Sequence, residues 1–182
     1  RLDEASARRR GGGPLRAAQR TTGLEVDERQ HAKNLASPRS GLSFVAAGAQ
    51  AIPCPDASFD LALMLKSLHH VPLPLLGQAL REAARVLRPG GGVVIHDYSV
   101  QGSTRAKAIW ATICHGVIIP LAVIKRSDVP LHRYLYTSVR DFDSVARICE
   151  RLLGAGLVDV RHRTYRGWQR DVIHTVGGSA PS

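Results

Sequence analysis

Two adjacent histidines, His69 and His70, follow an apolar run from Leu61 to Leu65, and a second apolar run, Val93-Val94-Ile95, leads into His96 and Asp97. Both runs read as buried parallel strands, and the ends of such strands gather functional side chains at one rim of a sheet. An imidazole titrates near working pH. It can take the proton of a weakly acidic hydroxyl and so make the group that carried it more nucleophilic. Asp97 offers a carboxylate either to the hydroxyls of an acceptor or to the backbone of the next loop as a structural anchor. The His69-His70 pair also has a structural reading, in which it caps the strand-to-helix turn and packs there. His174 lies inside an alternating run and is expected to pack. No two of these side chains have the i, i+4 helical spacing of a metal site, and none of Cys54, Cys114 and Cys149 forms a CxxC pair. No metal is expected, and the cysteines read as reduced.

The elements that must hold these residues alternate short apolar runs with amphipathic helices, the pattern of a parallel α/β sheet. Thr21 to Val26 is a short strand that carries the acid Glu25 near its end, and Asp27 caps a helix over Glu28 to Ala36. Leu42 to Ala46 is a second strand, and Leu61 to Leu65 is expected to be a buried central one. Leu75 to Leu87 is the clearest helix, with Leu76, Leu80, Ala83, Ala84 and Leu87 at three- and four-residue spacing. Arg88-Pro89-Gly90-Gly91-Gly92 is expected to break it as a turn. Thr104 to about Ile124 is mostly helical, and Asp141 to Leu153 is a further helix. Leu157 to Arg163 and Gln169 to Val176 make a closing antiparallel strand pair. One domain over 1–176 is expected, with 177–182 as a frayed tail.

Three segments carry a family resemblance in the right order: TGLEVD, LSFVAAGAQAIPCPDASFDLALMLKSLHHV and REAARVLRPGGGVVIHDYS. Together, from Gly23 to Ser99, they resemble the class I S-adenosylmethionine-dependent methyltransferases, of the methyltransferase type 11 kind. The later stretch from Tyr134 to Gly178 resembles the ubiquinone and menaquinone C-methyltransferases more loosely. The resemblance implies a three-layer, Rossmann-like α/β fold with a mostly parallel sheet, an antiparallel C-terminal pair and an incomplete first strand. It implies S-adenosyl-L-methionine as cofactor. Glu25 then has the position of the acid that accepts hydrogen bonds from the ribose hydroxyls, against the plainer reading of a solvated strand-end carboxylate. Gly48 and Ala49 fall on the adenine loop, where Ala49 donates its backbone amide. Gly48 lacks the side-chain acid usual there, a loss of about 1 kcal/mol if nothing substitutes. Leu65 matches a position lining the cofactor.

The family's glycine-rich first loop is not matched. Ala5, Ala7 and Arg9 stand where glycines fall, and Gly11 to Gly13 come too late. Either the chain is a fragment or misread start of an active enzyme, or it is a degenerate domain of the same type. By resemblance, the function is methyl transfer to a small lipophilic acceptor such as a prenylated quinol, with His69 or His70 taking the phenolic proton. The alternative is a catalytically inactive binding or scaffold protein.

The 182 residues suffice for one ordinary domain, and 44% hydrophobic with 22% charged residues excludes wholesale disorder. A net charge of +10 invites nucleic acid, yet only 5% of residues are aromatic and the arginines are scattered. Nucleic acid is not the expected partner. The apolar run Ala108 to Ile124 is interrupted by His115 and Pro120 and falls short of a membrane span. It reads as a buried helix kinked at Pro120, as a lid over a prenyl chain, or as a helix on a membrane surface with Lys125-Arg126 at the headgroups. Trp110, Tyr134, Tyr136 and Trp168 are candidates for the same pocket. With no signal peptide at Arg1, a cytoplasmic setting is expected, with peripheral membrane contact as an option.

Overall fold

A computed structural model describes residues 20–182, which divide by contacts into two compact units, one ending at Ala47 and the other Gly48–Ser182. Ala5, Ala7, Arg9 and the incomplete first strand lie outside the described residues.

The first unit is a strand-helix-strand turn of chain. β1 (Thr21–Glu25) and β2 (Leu42–Ala46) pair in parallel, from Thr21 opposite Leu42 to Glu25 opposite Ala46. The helix between them, α1 (Glu28–Leu35), starts where expected because Asp27 Oδ1 accepts the Gln30 amide at 2.8 Å. Gly23 is required by its neighbour across the pair, since a Cβ there would lie 2.7 Å from the Phe44 ring.

In the second unit, β3 (Phe59–Leu65), β4 (Leu87–Tyr98), β5 (Val158–Thr164) and β6 (Ile173–Ser179) form one sheet in the order β3-β4-β6-β5. β3 and β4 are parallel, whereas β6 runs antiparallel to both β4 and β5. The closing antiparallel pair is as expected, and the sheet is mixed. α2 (Leu73–Val86) and α5 (Val145–Gly154) cover one sheet face, and Leu76, Leu80, Ile148 and Leu152 pack there on Val93, Ile95 and Val176. Each such large side chain contributes about 1.5–3 kcal/mol by leaving water. A second cluster sets Ala106, Trp110 and Cys114 of the long helix α3 (Thr104–Ile124) against Val139, Val172 and Ile173. Val139 belongs to α4 (Val129–Arg140).

Several expectations need correction. Among the described residues β3 is not a buried central strand: there it stands last in the order of its sheet, and Leu61, Leu63 and Leu65 are exposed. Arg88 to Gly92 is not a free turn. α2 stops at Val86 and the chain enters β4 at once, with Gly90 in the left-handed region at φ +74° and its amide on the Ala180 carbonyl. Nor do the last residues fray from Gly177. Gly177 and Gly178 pair with Val94 and Val93 in β6, and the buried Ala180 donates its amide to Gly91 O at 2.8 Å. α3 covers the helical stretch read from sequence, but the reading that its apolar run falls short of a membrane span does not hold. With its polar first turn it reaches 21 residues, long and apolar enough by length and composition to cross a membrane. It stays helical past Pro120 because the turn Cys114–Ile118 widens to π geometry, which accommodates a residue with no amide hydrogen to give.

Candidate functional site

The site is built at the carboxyl ends of β3 and β4. Leu65 and His96 pair across these ends, and the next residue, Lys66, turns back in the left-handed region at φ +52° with its amide on His96 O at 2.7 Å. A non-glycine residue held there costs free energy that its surroundings must offset. The turn feeds a single 3-10 turn, Leu68–His70, directly over Asp97.

Asp97 is buried, and its carboxylate is filled from within the protein. Oδ2 accepts the amides of Leu68 (2.9 Å) and His69 (3.2 Å), while Oδ1 accepts the Tyr98 amide (2.7 Å) and faces His69 Nδ1 at 2.6 Å. Asp97 therefore has no lone pair turned toward an acceptor's hydroxyls. It is both the structural anchor of the loop and the partner of His69. A carboxylate only accepts, so Nδ1 of a neutral His69 carries the proton and Nε2 is left with its lone pair. His69 Nε2 is buried and has no hydrogen-bond partner among the described residues. Leaving a buried acceptor of this kind unsatisfied costs about 1–3 kcal/mol, which a hydrogen-bond donor reaching Nε2 would recover.

His69 and His70 both border a cavity of about 310 Å³ that Tyr134, Thr137, Ser138, Asp141 and Phe142 also line. The His70 ring stacks on Tyr134 at 5.7 Å and 14°, and Phe142 meets the His69 ring edge-on at 6.3 Å. Partial burial in the turn, then the adjacent His69, push the His70 pKa below its ordinary value, with Asp97 pulling weakly upward. His70 is thus neutral at pH 7. Tyr134, Thr137 and Ser138 come from α4, a helix the sequence reading did not separate. Its signal was present in Asp128 followed by Pro130: the Asp128 side chain caps the Leu131 amide and proline sits in the first turn.

The other candidates lie apart from this cavity. His96 Nδ1 faces Thr175 Oγ1 at 3.1 Å and the Tyr165 hydroxyl at 3.3 Å. His174 is buried as expected, and it is also hydrogen-bonded, between His162 Nε2 (2.9 Å) and Ser99 O (3.1 Å). Trp110 is buried against Tyr98 and donates Nε1–H to Tyr136 O, while Trp168 is exposed. Burial raises the Cys114 thiol to about 11, so it is an inert core group.

Glu25 ends β1 with one oxygen taken, since Oε1 accepts the Asp27 amide at 3.0 Å. In the second unit, the Gly48 carbonyl accepts the Ala51 amide at 3.1 Å. A Cβ on Gly48 would collide with the Gln50 side-chain amide, whose Nε2 lies 2.6 Å from that point. Gln50 thus folds into the space that a side chain at position 48 would occupy. Sequence reading noted the missing acid at 48 and did not see that the Gln50 side chain, two residues on, fills that space. Leu65 is exposed at the end of β3.

Residues 10–95 match the family profile described as a methyltransferase domain. Solved structures of similar fold include the N-methyltransferase NodS from Bradyrhizobium japonicum WM9, at TM-score 0.54, 16% identity and 90% of this chain against 74% of that one. The [4+2]-cyclase SpnF is also similar, at TM-score 0.58 and 18% identity, over 89% of this chain and 66% of that chain. The fold and the match define the class: residues 10–95 match a methyltransferase domain, and the framework is Rossmann-like α/β. More particularly, it resembles the C-methyltransferases of quinone biosynthesis. It is 32% identical to the ubiquinone/menaquinone biosynthesis C-methyltransferase UbiE of Methylobacterium nodulans over 126 residues, 69% of this chain and 49% of that protein. It is 31% identical to the demethylmenaquinone methyltransferase of Beutenbergia cavernae over 129 residues, 71% of this chain and 53% of that protein. The chain spans about half the length of these curated relatives.

Proposed function

We propose that this protein transfers a methyl group from S-adenosyl-L-methionine to a ring carbon of a small lipophilic acceptor, a prenylated quinol. The observation that carries the proposal is the buried His69–Asp97 pair with Nε2 unpartnered beside an aromatic-lined cavity. SpnF is a cyclase on the same framework, so fold alone does not give the reaction. Support for the quinol comes from the curated relatives and from a cavity whose wall carries the His70–Tyr134 stack and Phe142, apolar faces that suit a flat ring.

The cofactor fits the residues present in part. In the first unit, Glu25 has one carboxylate oxygen that no described residue takes, which suits a ribose hydroxyl. In the second unit, described by itself, Gln50 brings an amide to the place where position 48 lacks an acceptor for adenine. Ala49 and Leu65 complete the set the resemblance assigns. When bound, the cofactor supplies an electrophilic methyl group on sulfur.

The protein's own work is then positioning and proton transfer. His69 Nε2 takes the acceptor's phenolic proton, which leaves the ring carbon electron-rich. Asp97 holds the imidazole in the tautomer that can do this and stabilises the charge that forms. Tyr134 and Phe142 orient the ring, so that much of the rate comes from alignment. A cytoplasmic setting, in which Cys54, Cys114 and Cys149 stay reduced, goes with this reading.

Two measurements on the full chain test it. Calorimetric titration with S-adenosylhomocysteine is expected to show saturable binding, and labelled S-adenosylmethionine with a demethylated quinol is expected to yield a C-methylated product that His69→Asn abolishes. No binding at millimolar ligand overturns the proposal and leaves the scaffold reading in its place.

A further inference from the structure

A surface helix normally turns charged and polar side chains to solvent. α3 does the opposite. Its inner side, Ala106, Trp110, Cys114 and Ala122, is buried, while Val117 (58%), Leu121 (45%), Val123 (57%) and Ile124 (77%) are exposed. Only 17% of its most apolar stretch is buried. An apolar strip this long facing water needs a physical explanation.

The charges around the strip say what covers it. Arg105 and Lys107 stand at one end of α3 and Lys125 and Arg126 at the other, and no Asp or Glu occurs between Thr104 and Ser127. Lys107, Lys125 and Arg126 are exposed and pair with no carboxylate among the described residues. The nearest acid in sequence, Asp128, is occupied as the cap of α4. An apolar strip with cations at both ends and no anion matches an anionic bilayer, where the strip enters the acyl boundary and the cations meet phosphates. A span of the bilayer does not fit, because Ala106, Trp110 and Cys114 belong to the protein's own core with Val139, Val172 and Ile173.

We propose that α3 docks this protein on an anionic lipid surface, lying in the headgroup plane with Val117, Leu121, Val123 and Ile124 inserted and Lys125 and Arg126 on the phosphates. Leu131, 57% exposed on α4, extends the apolar face, and one turn further Tyr134 borders the His69–His70 cavity. The docked face thus leads to the mouth of the site, a route by which a lipophilic acceptor enters from the bilayer. That route rests on the function proposed above, whereas the docking does not.

Flotation of the full chain with phosphatidylcholine vesicles, with and without phosphatidylglycerol, tests the docking in the absence of cofactor and acceptor. Binding to the anionic vesicles is expected, weakened by high salt and released by alkaline carbonate. Lys125→Glu/Arg126→Glu is expected to weaken it by about tenfold or more, and Leu121→Asp/Ile124→Asp to abolish it with an unchanged circular dichroism spectrum. An Ile124→Trp variant provides a readout without loss of apolar surface, since its emission is expected to shift to the blue on adding anionic vesicles. No flotation and no shift overturn the proposal. So does retention through carbonate, which means a spanning helix, or a wild-type dimer that Leu121→Asp/Ile124→Asp converts to monomer, which means a second copy covers the strip.

Discussion

Nδ1 of His69 and Oδ1 of Asp97 lie 2.6 Å apart with both side chains buried, although the residues come from a turn after β3 and from the carboxyl end of β4. The same carboxylate also accepts the amides of Leu68, His69 and Tyr98. One side chain therefore shapes the turn and sets the tautomer of the imidazole it carries.

Replacing Asp97 by Asn keeps the size and removes the charge, so the imidazole loses its fixed orientation. Methyl transfer is expected to fall by about 10²–10⁴-fold. Affinity for S-adenosylhomocysteine is expected to hold. A rate that falls no further than the melting temperature accounts for would mean that Asp97 serves the fold alone.

Gln50 is expected to matter for the cofactor and not for the turn. Gln50→Ala should weaken S-adenosylhomocysteine binding by about five- to tenfold, the effect of one hydrogen bond, with the melting temperature little changed. Calorimetry reads this directly, and equal affinity in the two proteins would remove Gln50 from the site.

Acid should loosen the protein through His70 and His174, whose pKa values burial pushes below the ordinary 6.5. The unfolded chain then binds protons more readily than the folded one. The associated stability is complete above about pH 6.5 and falls as pH drops below it. For His174 the geometry explains the loss. Nε2–H donates to Ser99 O, so Nδ1 must accept from His162, and a proton on Nδ1 breaks that bond. Thermal melts from about pH 8 to about pH 5 are expected to show a falling midpoint, with a shallower slope in His174→Asn.

Leu152 is fully buried between α5 and the sheet. Leu152→Ala is expected to cost about 2–5 kcal/mol, read as an earlier urea midpoint with an unchanged slope.

Arg85 ties the loop before β3 to α2, reaching Glu82, Asp56 and the carbonyls of Ile52 and Cys54. Arg85→Met is expected to expose residues 52–58 to proteolysis while the core melts nearly as before. Limited proteolysis with mass mapping of the first cut checks it.

Much of this was legible along the chain. Asp27 announces α1, the spacing of Leu76, Leu80 and Ala83 announces α2, and the alternation after Leu157 announces the antiparallel pair, because caps and periodicity are local physics. Their places after two apolar runs picked out His69, His70 and Asp97 but did not tell which of them touch. Tyr134 was among the aromatic candidates, and the structure sets it on the cavity wall. Gln50 escaped notice because nothing near it in sequence refers to the empty side-chain place at Gly48.

What the amino-acid order determined by itself was the set of elements and the residue types at the strand ends, since propensity, capping and apolar period act within a few residues. Tertiary structure alone decided that Asp97 faces inward to His69, that Leu61, Leu63 and Leu65 of β3 are exposed, that Gly177 to Ala180 are tied in and that the apolar side of α3 is left outside. Each of these depends on which distant surfaces meet, and burial is a property of the meeting rather than of the residue.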